Sequence, residues 1–191
     1  PSQKDFDEHL QKIGFPMIEF NDQEIFLPII GMELDFGGIV KEYAADALVA
    51  TAKRQGISFG LINLGGDIAI IGPQASGAPW LFGITHPVIK GRTIATIPLS
   101  SGSLTTSGGY ERFVEIEGER YSHLLNPKTG IPFKSILSAS VIADQAIVAG
   151  SITSIALLNE ELDSLEWLEK CDVPYLAIKK NLECIGSLAG N

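Results

Sequence analysis

The chain has 191 residues, 45% of them hydrophobic, and its 23 acidic against 14 basic side chains leave a net charge of −9. That is enough apolar material for one good core, so a single domain over residues 1–191 is the expectation. The acidic balance argues against a nucleic-acid-binding face, and no run of about 18 apolar residues occurs that could span a membrane.

Residues Ser2 to Ile13 read as a short amphipathic helix with Phe6, Leu10 and Ile13 on one side, rather than as a signal peptide. Met17–Asn21 and Glu24–Pro28 flank Asp22-Gln23 as a hairpin. Glu33-Leu34-Asp35-Phe36-Gly37-Gly38 then leads into a helix from about Ile39 to Gln55. Ile39, Tyr43 and Ala47 fall on one face, Lys53 and Arg54 suit its last turn, and Gly56 is a C-terminal cap. A glycine pair feeding a helix leaves N–H groups free, which outlines an anion site, but on this motif alone a plain tight strand-to-helix turn is the favoured reading.

Phe59–Leu64 and Asp67–Ile71 read as strands joined by Gly65-Gly66, and Trp80–Thr85 and Arg92–Leu99 as two more. His86-Pro87 reads as a surface turn. Phe113, Glu115 and Glu117 alternate with Val114 and Ile116, the pattern of a half-buried strand. Glu117-Gly118-Glu119 would turn it, and Tyr121 would begin the return. Arg112 reads as a sheet-surface partner of Glu111 or Glu119. Ser138–Ile142 is a strand, after which Asp144 would cap a helix from Gln145 to Leu158 with Val148, Ile152 and Ile155 inward. A helix from Glu160 to Lys170, with Leu162, Leu165 and Leu168 as its apolar side, precedes a hairpin of Tyr175–Ile178 and Leu182–Ile185. The class is α+β, an antiparallel sheet with helices packed on it. Cys171 and Cys184 match no metal spacing and read as two buried thiols, with a disulfide the alternative.

The chemistry gathers around the Phe113–Tyr121 hairpin. Thr106-Ser107-Gly108-Gly109 precedes it as a loop, and Ser122-His123-Leu124-Leu125-Asn126-Pro127-Lys128-Thr129-Gly130 follows it. The hairpin would bring both to one edge. Hydroxyls, backbone N–H groups and one imidazole would then stand together, which suits a phosphate ligand and a proton transfer. With a negative net charge, such an anion must be held by local devices rather than by the overall field.

Four segments carry a resemblance: Leu34–Asp46, Ile62–Asp67, Thr106–Phe113 and Tyr121–Gly130. In this order and spacing the chain resembles the ApbE family, the FAD:protein FMN transferases formerly called thiamine biosynthesis lipoproteins. The resemblance runs from about Phe6 to Leu158. Family members carry a further N-terminal portion with no counterpart in this sequence. The resemblance implies a magnesium-dependent reaction in which a threonine hydroxyl of a partner protein attacks the FMN-side phosphorus of FAD and AMP leaves. It also implies a cell-envelope or periplasmic setting.

By position, the resemblance places Asp35, Gly37, Gly38 and Lys41 at FAD, with Thr106, Ser107 and Gly108 lining the flavin or pyrophosphate. It makes His123 the base for the threonine and a further FAD neighbour; imidazole titrates near neutrality. As a purely structural residue, His123 would pin the turn before Asn126-Pro127. Gly38 and Ile147 would offer backbone oxygens to the metal. The family's last metal ligands are an aspartate and a threonine one helical turn apart, and here Gly150 and Ser154 stand at those positions. Asn126 likewise stands where the family usually has aspartate. Two functions follow: a flavin transferase, or a non-catalytic FAD-binding homologue that has lost its metal site.

Overall fold

The computed structural model describes residues 2–110, 113–116, 118–133 and 135–190. Glu111, Arg112 and Glu117, to which the sequence assigned a strand, an ion pair and a turn, lie outside the described residues.

Six strands form an antiparallel sheet in the order β12-β11-β10-β7-β4-β3. These are β3 (Gly60–Leu64), β4 (Asp67–Gly72), β7 (Ser103–Gly108), β10 (Ser138–Ala143), β11 (Tyr175–Ile178) and β12 (Cys184–Ile185). The period-2 alternation sends side chains to opposite faces. On one face Ile68, Ile70, Leu104, Leu176 and Ile178 pack against Ile84, Ala95, Ile97 and Leu99 of the hairpin β5 (Trp80–Thr85) and β6 (Thr93–Leu99). On the other, Ala139, Val141, Tyr175 and Ala177 pack under the helices α3 (Ala146–Leu157) and α4 (Glu161–Lys170). The α+β reading therefore holds, with a hairpin covering the face that the helices leave.

Helix α2 (Val40–Arg54) ends as its sequence implies, on Gly56 at φ +80°. The amides of Gly56 and Ile57 bond back to the carbonyls of Lys53 and Ala52, the Schellman arrangement. The turn between β3 and β4 needs both its glycines, since Gly65 and Gly66 have φ of +67° and +102°. His86 is a turn residue: its Nδ1 accepts the amides of Val88 and Ile89.

Several expectations are corrected. The first helix, α1, spans only Gln3–Leu10, closed at its start by the reciprocal Ser2–Asp5 bonds. The first hairpin shrinks to β1 (Glu19–Phe20) and β2 (Ile25–Phe26), and β12 to two residues. On α2 the face carrying Ile39, Tyr43 and Ala47 is the outer one: Ile39 and Tyr43 are 43% and 64% exposed, and Ala47 is exposed too. Glu42 and Ala45 are the buried residues instead. On α3, Ile152 is buried but Val148 and Ile155 are exposed, and on α4 Leu162 is exposed. The hairpin β8 (Phe113–Ile116) and β9 (Glu119–Ser122) forms a separate ribbon whose β8 side chains are all exposed, so it is not half-buried.

Asp144 does not cap α3, whose N-cap residue is Gln145 with no side-chain bond of its own. The amides of Ala146 and Ile147 are held by Asp46, reaching over from α2 at 2.8 and 3.0 Å. Cys171 and Cys184 stand as free thiols, half-buried rather than buried.

Candidate functional site

Thr106, Ser107 and Gly108 are not a loop. They form the last rungs of β7 and pair with Ser140, Ala139 and Ser138 of β10. Ladder pairing holds a Ser/Gly-rich stretch extended although its composition favours a turn. The strand aims hydroxyls at both neighbours. Thr106 Oγ1 and Ser140 Oγ are 2.8 Å apart, and Ser107 Oγ and Thr153 Oγ1 of α3 are 2.9 Å apart. Gly108 is close-packed, since a Cβ there would stand 2.7 Å from the Tyr110 ring.

Thr106 and Tyr110 line a cleft of about 290 Å³ together with Asn63, Gly65, Gly66 and Phe82. Lys41, at the start of α2, runs past the same turn: a Cβ on Gly65 would lie 3.9 Å from its Nζ. Its ammonium is held at 2.6 Å by Asp67, whose side chain is only 7% exposed. Asn63 Oδ1 accepts the Gly66 amide and stiffens the turn. Lys41 and Thr106 are thus brought around one glycine turn. The glycine pair lining this cleft and the buried Asp67 that holds Lys41 both belong to the segment Ile62–Asp67, outside the expected site residues.

Gly37 and Gly38 are not among the residues lining this cleft. The Gly37 amide is taken by Asp35 Oδ1 at 2.7 Å, so that N–H is not free for an anion. Gly38 has open space around it, with nothing within 4 Å of a built Cβ. A second cleft, of about 420 Å³ beneath α1, is lined by residues such as His9, Lys12, Phe15 and Met32 and holds none of the expected site residues.

His123 follows β9 directly and is exposed. A Cβ on Gly109 would stand 3.0 Å from Ser122 Oγ, so the hairpin does return the chain beside the end of β7. The turn beyond is built by Asn126, whose Oδ1 accepts the Lys128 amide and whose carbonyl accepts the amides of Thr129 and Gly130. Phe6 of α1 sits on Gly130 at φ +71°, where a Cβ would be 2.5 Å from its ring.

Three of the positions assigned to a metal, Ile147, Gly150 and Ser154, lie along α3, whereas Gly38 precedes α2. The Ile147 carbonyl accepts the Ser151 hydroxyl and the Gly150 carbonyl that of Thr153. Gly150 is buried against α2: a Cβ there would stand 2.7 Å from Glu42 Cγ and 3.1 Å from its Oε1. Glu42 is 6% exposed, and its Oε2 has no hydrogen-bond partner among the described residues. Among the described residues no three His, Cys, Asp or Glu side chains come together as a ready-made cation cage. A magnesium ion, which takes one or two carboxylates and leaves the rest to phosphates and water, does not need one. The orphaned Glu42 oxygen is a donor of the right chemistry, so these residues fit such an ion.

The chain is similar to known proteins in both sequence and fold. The ApbE family model matches residues 1–177. A Klebsiella pneumoniae protein named FAD:protein FMN transferase is 30% identical over 164 residues, 84% of this chain and 50% of that protein. An Escherichia coli protein of the same name is 30% identical over 168 residues, 84% of this chain and 48% of that protein. The crystal structure of the ApbE protein of Thermotoga maritima matches with a TM-score of 0.85 at 29% identity, covering 98% of this chain and 62% of that one. The chain spans about half the length of the curated relatives it matches.

Proposed function

Because the chain belongs to the ApbE family, we propose that it takes part in moving FMN from FAD to a threonine hydroxyl of a partner protein, with release of AMP and dependence on magnesium. The observation that carries this reading is the cleft between the Gly65-Gly66 turn and Thr106, with the Lys41 ammonium beside it. Phosphoryl transfer asks the protein mainly to position groups and neutralise charge, and that is what these parts supply. Glycines let the pyrophosphate approach the backbone, Lys41 contributes positive charge held in place by Asp67, and Thr106 offers a hydroxyl. A divalent cation, when bound, adds charge neutralisation on the phosphate oxygens. Glu42 and the backbone oxygens near Gly38 and Ile147 are the groups that would hold it, with Ser154 as a neutral neighbour. His123, beside the end of β7, takes the proton of the attacking hydroxyl.

Incubating the protein with FAD, Mg²⁺ and a threonine-bearing acceptor peptide tests the reading. AMP release with flavin fixed to the peptide is expected. His123→Ala should slow transfer by about 10² to 10⁴ while leaving FAD affinity nearly intact, since a general base acts on the transition state. FAD binding with no AMP release would instead mark a flavin-binding homologue without catalysis. Transfer by His123→Ala at the wild-type rate would make the histidine a turn residue only.

A further inference from the structure

We propose that Glu42 is the carboxylate ligand of this site's divalent cation, and that Gly150 is glycine because Glu42 occupies its side-chain space. The inference rests on the flavin-transferase reading for the cation's purpose, but not for the Glu42 geometry. Three observations converge. Glu42 is 94% buried, as its exposure is 6%, yet it sits on a helix whose neighbouring residues Lys41 and Tyr43 are exposed. Its Oε2 is out of water and has no hydrogen-bond partner among the described residues. A buried carboxyl oxygen without a partner is unfavourable, and such groups mark places where a ligand completes the structure. The nearest ammonium in sequence, Lys41, is already held by Asp67.

The third observation is the fit with Gly150. Glycine within a helix is unfavourable, so its presence in α3 requires a reason. The reason is steric: any Cβ would meet Glu42 Cγ at 2.7 Å, and Cγ lies mid-chain, where it cannot swing aside as a carboxylate tip can. A side chain reaching from α2 therefore delivers an acidic group to the place on α3 where the family resemblance expects one. Asp46, one turn after Glu42 on α2, clamps the amides of Ala146 and Ile147 and fixes the two helices at this point. The carboxylate has been exchanged between helices rather than lost.

Isothermal calorimetry with Mg²⁺ on FAD-saturated protein tests this, with no turnover required. Glu42→Gln, which keeps the shape, should weaken Mg²⁺ binding by about tenfold or more, as the loss of a ligand-shell group does. FAD affinity measured without metal should stay unchanged. Gly150→Asp alone should fold poorly or bind Mg²⁺ no better, because Glu42 is in its way. The double variant Glu42→Gly with Gly150→Asp returns the carboxylate from the other helix and should recover most of the Mg²⁺ affinity. Equal Mg²⁺ affinity in wild type and Glu42→Gln overturns the proposal, as does an FAD-loaded wild type that takes up no Mg²⁺. If Mg²⁺ binds in a Glu42-dependent way yet no AMP forms with any acceptor, the transferase reading falls and the Glu42 assignment stands.

Discussion

Asp46 on α2 accepts the Ala146 amide of α3 at 2.8 Å across 100 positions of sequence. Its second oxygen takes the next amide, of Ile147. Both are amides that a helix start leaves without partners, so one carboxylate caps α3 from outside it. The cap also ties together the helices that carry Lys41, Glu42 and Gly150. Removing an N-cap costs about 0.5–2 kcal/mol. Asp46→Ala should therefore lower the melting temperature by roughly 1–8 °C, taking about 2–4 °C per kcal/mol for a chain of this size. Asp46→Asn, which keeps one acceptor, should lose less. Equal melting points for all three proteins would mean that the cap adds nothing.

Gly150→Ala reverses the usual sign of a helix substitution. In an open helix, alanine for glycine stabilises by about 1 kcal/mol. Here the new methyl meets Glu42 Cγ at 2.7 Å. Overpacking of that kind typically costs about 1–3 kcal/mol, so a net loss is expected in urea denaturation. Adding Glu42→Ala should return the stability, because the two substitutions share one space. A stabilised Gly150→Ala single variant would show that Glu42 moves aside freely.

Lys41 and Asp67 differ sharply in exposure, with side chains 48% and 7% exposed. The half-exposed lysine is well screened, so the pair itself adds little. Its removal nonetheless leaves the buried Asp67 carboxylate without its ionic partner. Lys41→Met should thus destabilise by about 1–2 kcal/mol, below the range for fully buried pairs. Lys41→Met with Asp67→Asn should be more stable than Lys41→Met alone. Thermal unfolding decides it, and a Lys41→Met protein as stable as wild type would reduce the pair to a surface contact.

Burial pushes the thiols of Cys171 and Cys184 above the ordinary range. The reactive species is the thiolate, so both should react with a disulfide reagent at pH 7 more slowly than in the unfolded chain. Because the folded value is the raised one, the associated stability is fully present below the ordinary thiol value of about 8.5 and fades as pH rises through the folded value. Cys→Ser at both positions should flatten the alkaline limb of stability against pH. Thiols as reactive in the native as in the denatured protein would contradict the burial.

Local signals were sufficient for much of the architecture. The short runs Asp67–Ile71 and Ser138–Ile142, the paired glycines at 65 and 66, and Gly56 after Lys53 and Arg54 each specify a conformation through their own local preferences. They place the strands, one hairpin turn and one helix end without reference to distant residues. The motifs around Lys41, Thr106 and His123 were legible in the same way, because glycine, hydroxyl and imidazole groups announce their chemistry by type.

What could not be read locally were the choices that two distant segments make together. Thr106–Gly108 has a turn's composition, and it becomes a strand because Ser138–Ser140 offers a ladder to complete. Asp144 is a good cap by position, yet Asp46 from another helix holds the amides. The apolar stripe of Ile39, Tyr43 and Ala47 satisfies the helical period, but α2 is rotated so that Ala45 meets Ala69 and Ala146 in a small-residue contact and Glu42 meets Gly150. Periodicity measures how apolar a face is, whereas close packing measures whether the opposing surface leaves room for it. That room exists only once the second helix is in place, so tertiary structure decided which face of α2 turned inward and brought a carboxylate to the site.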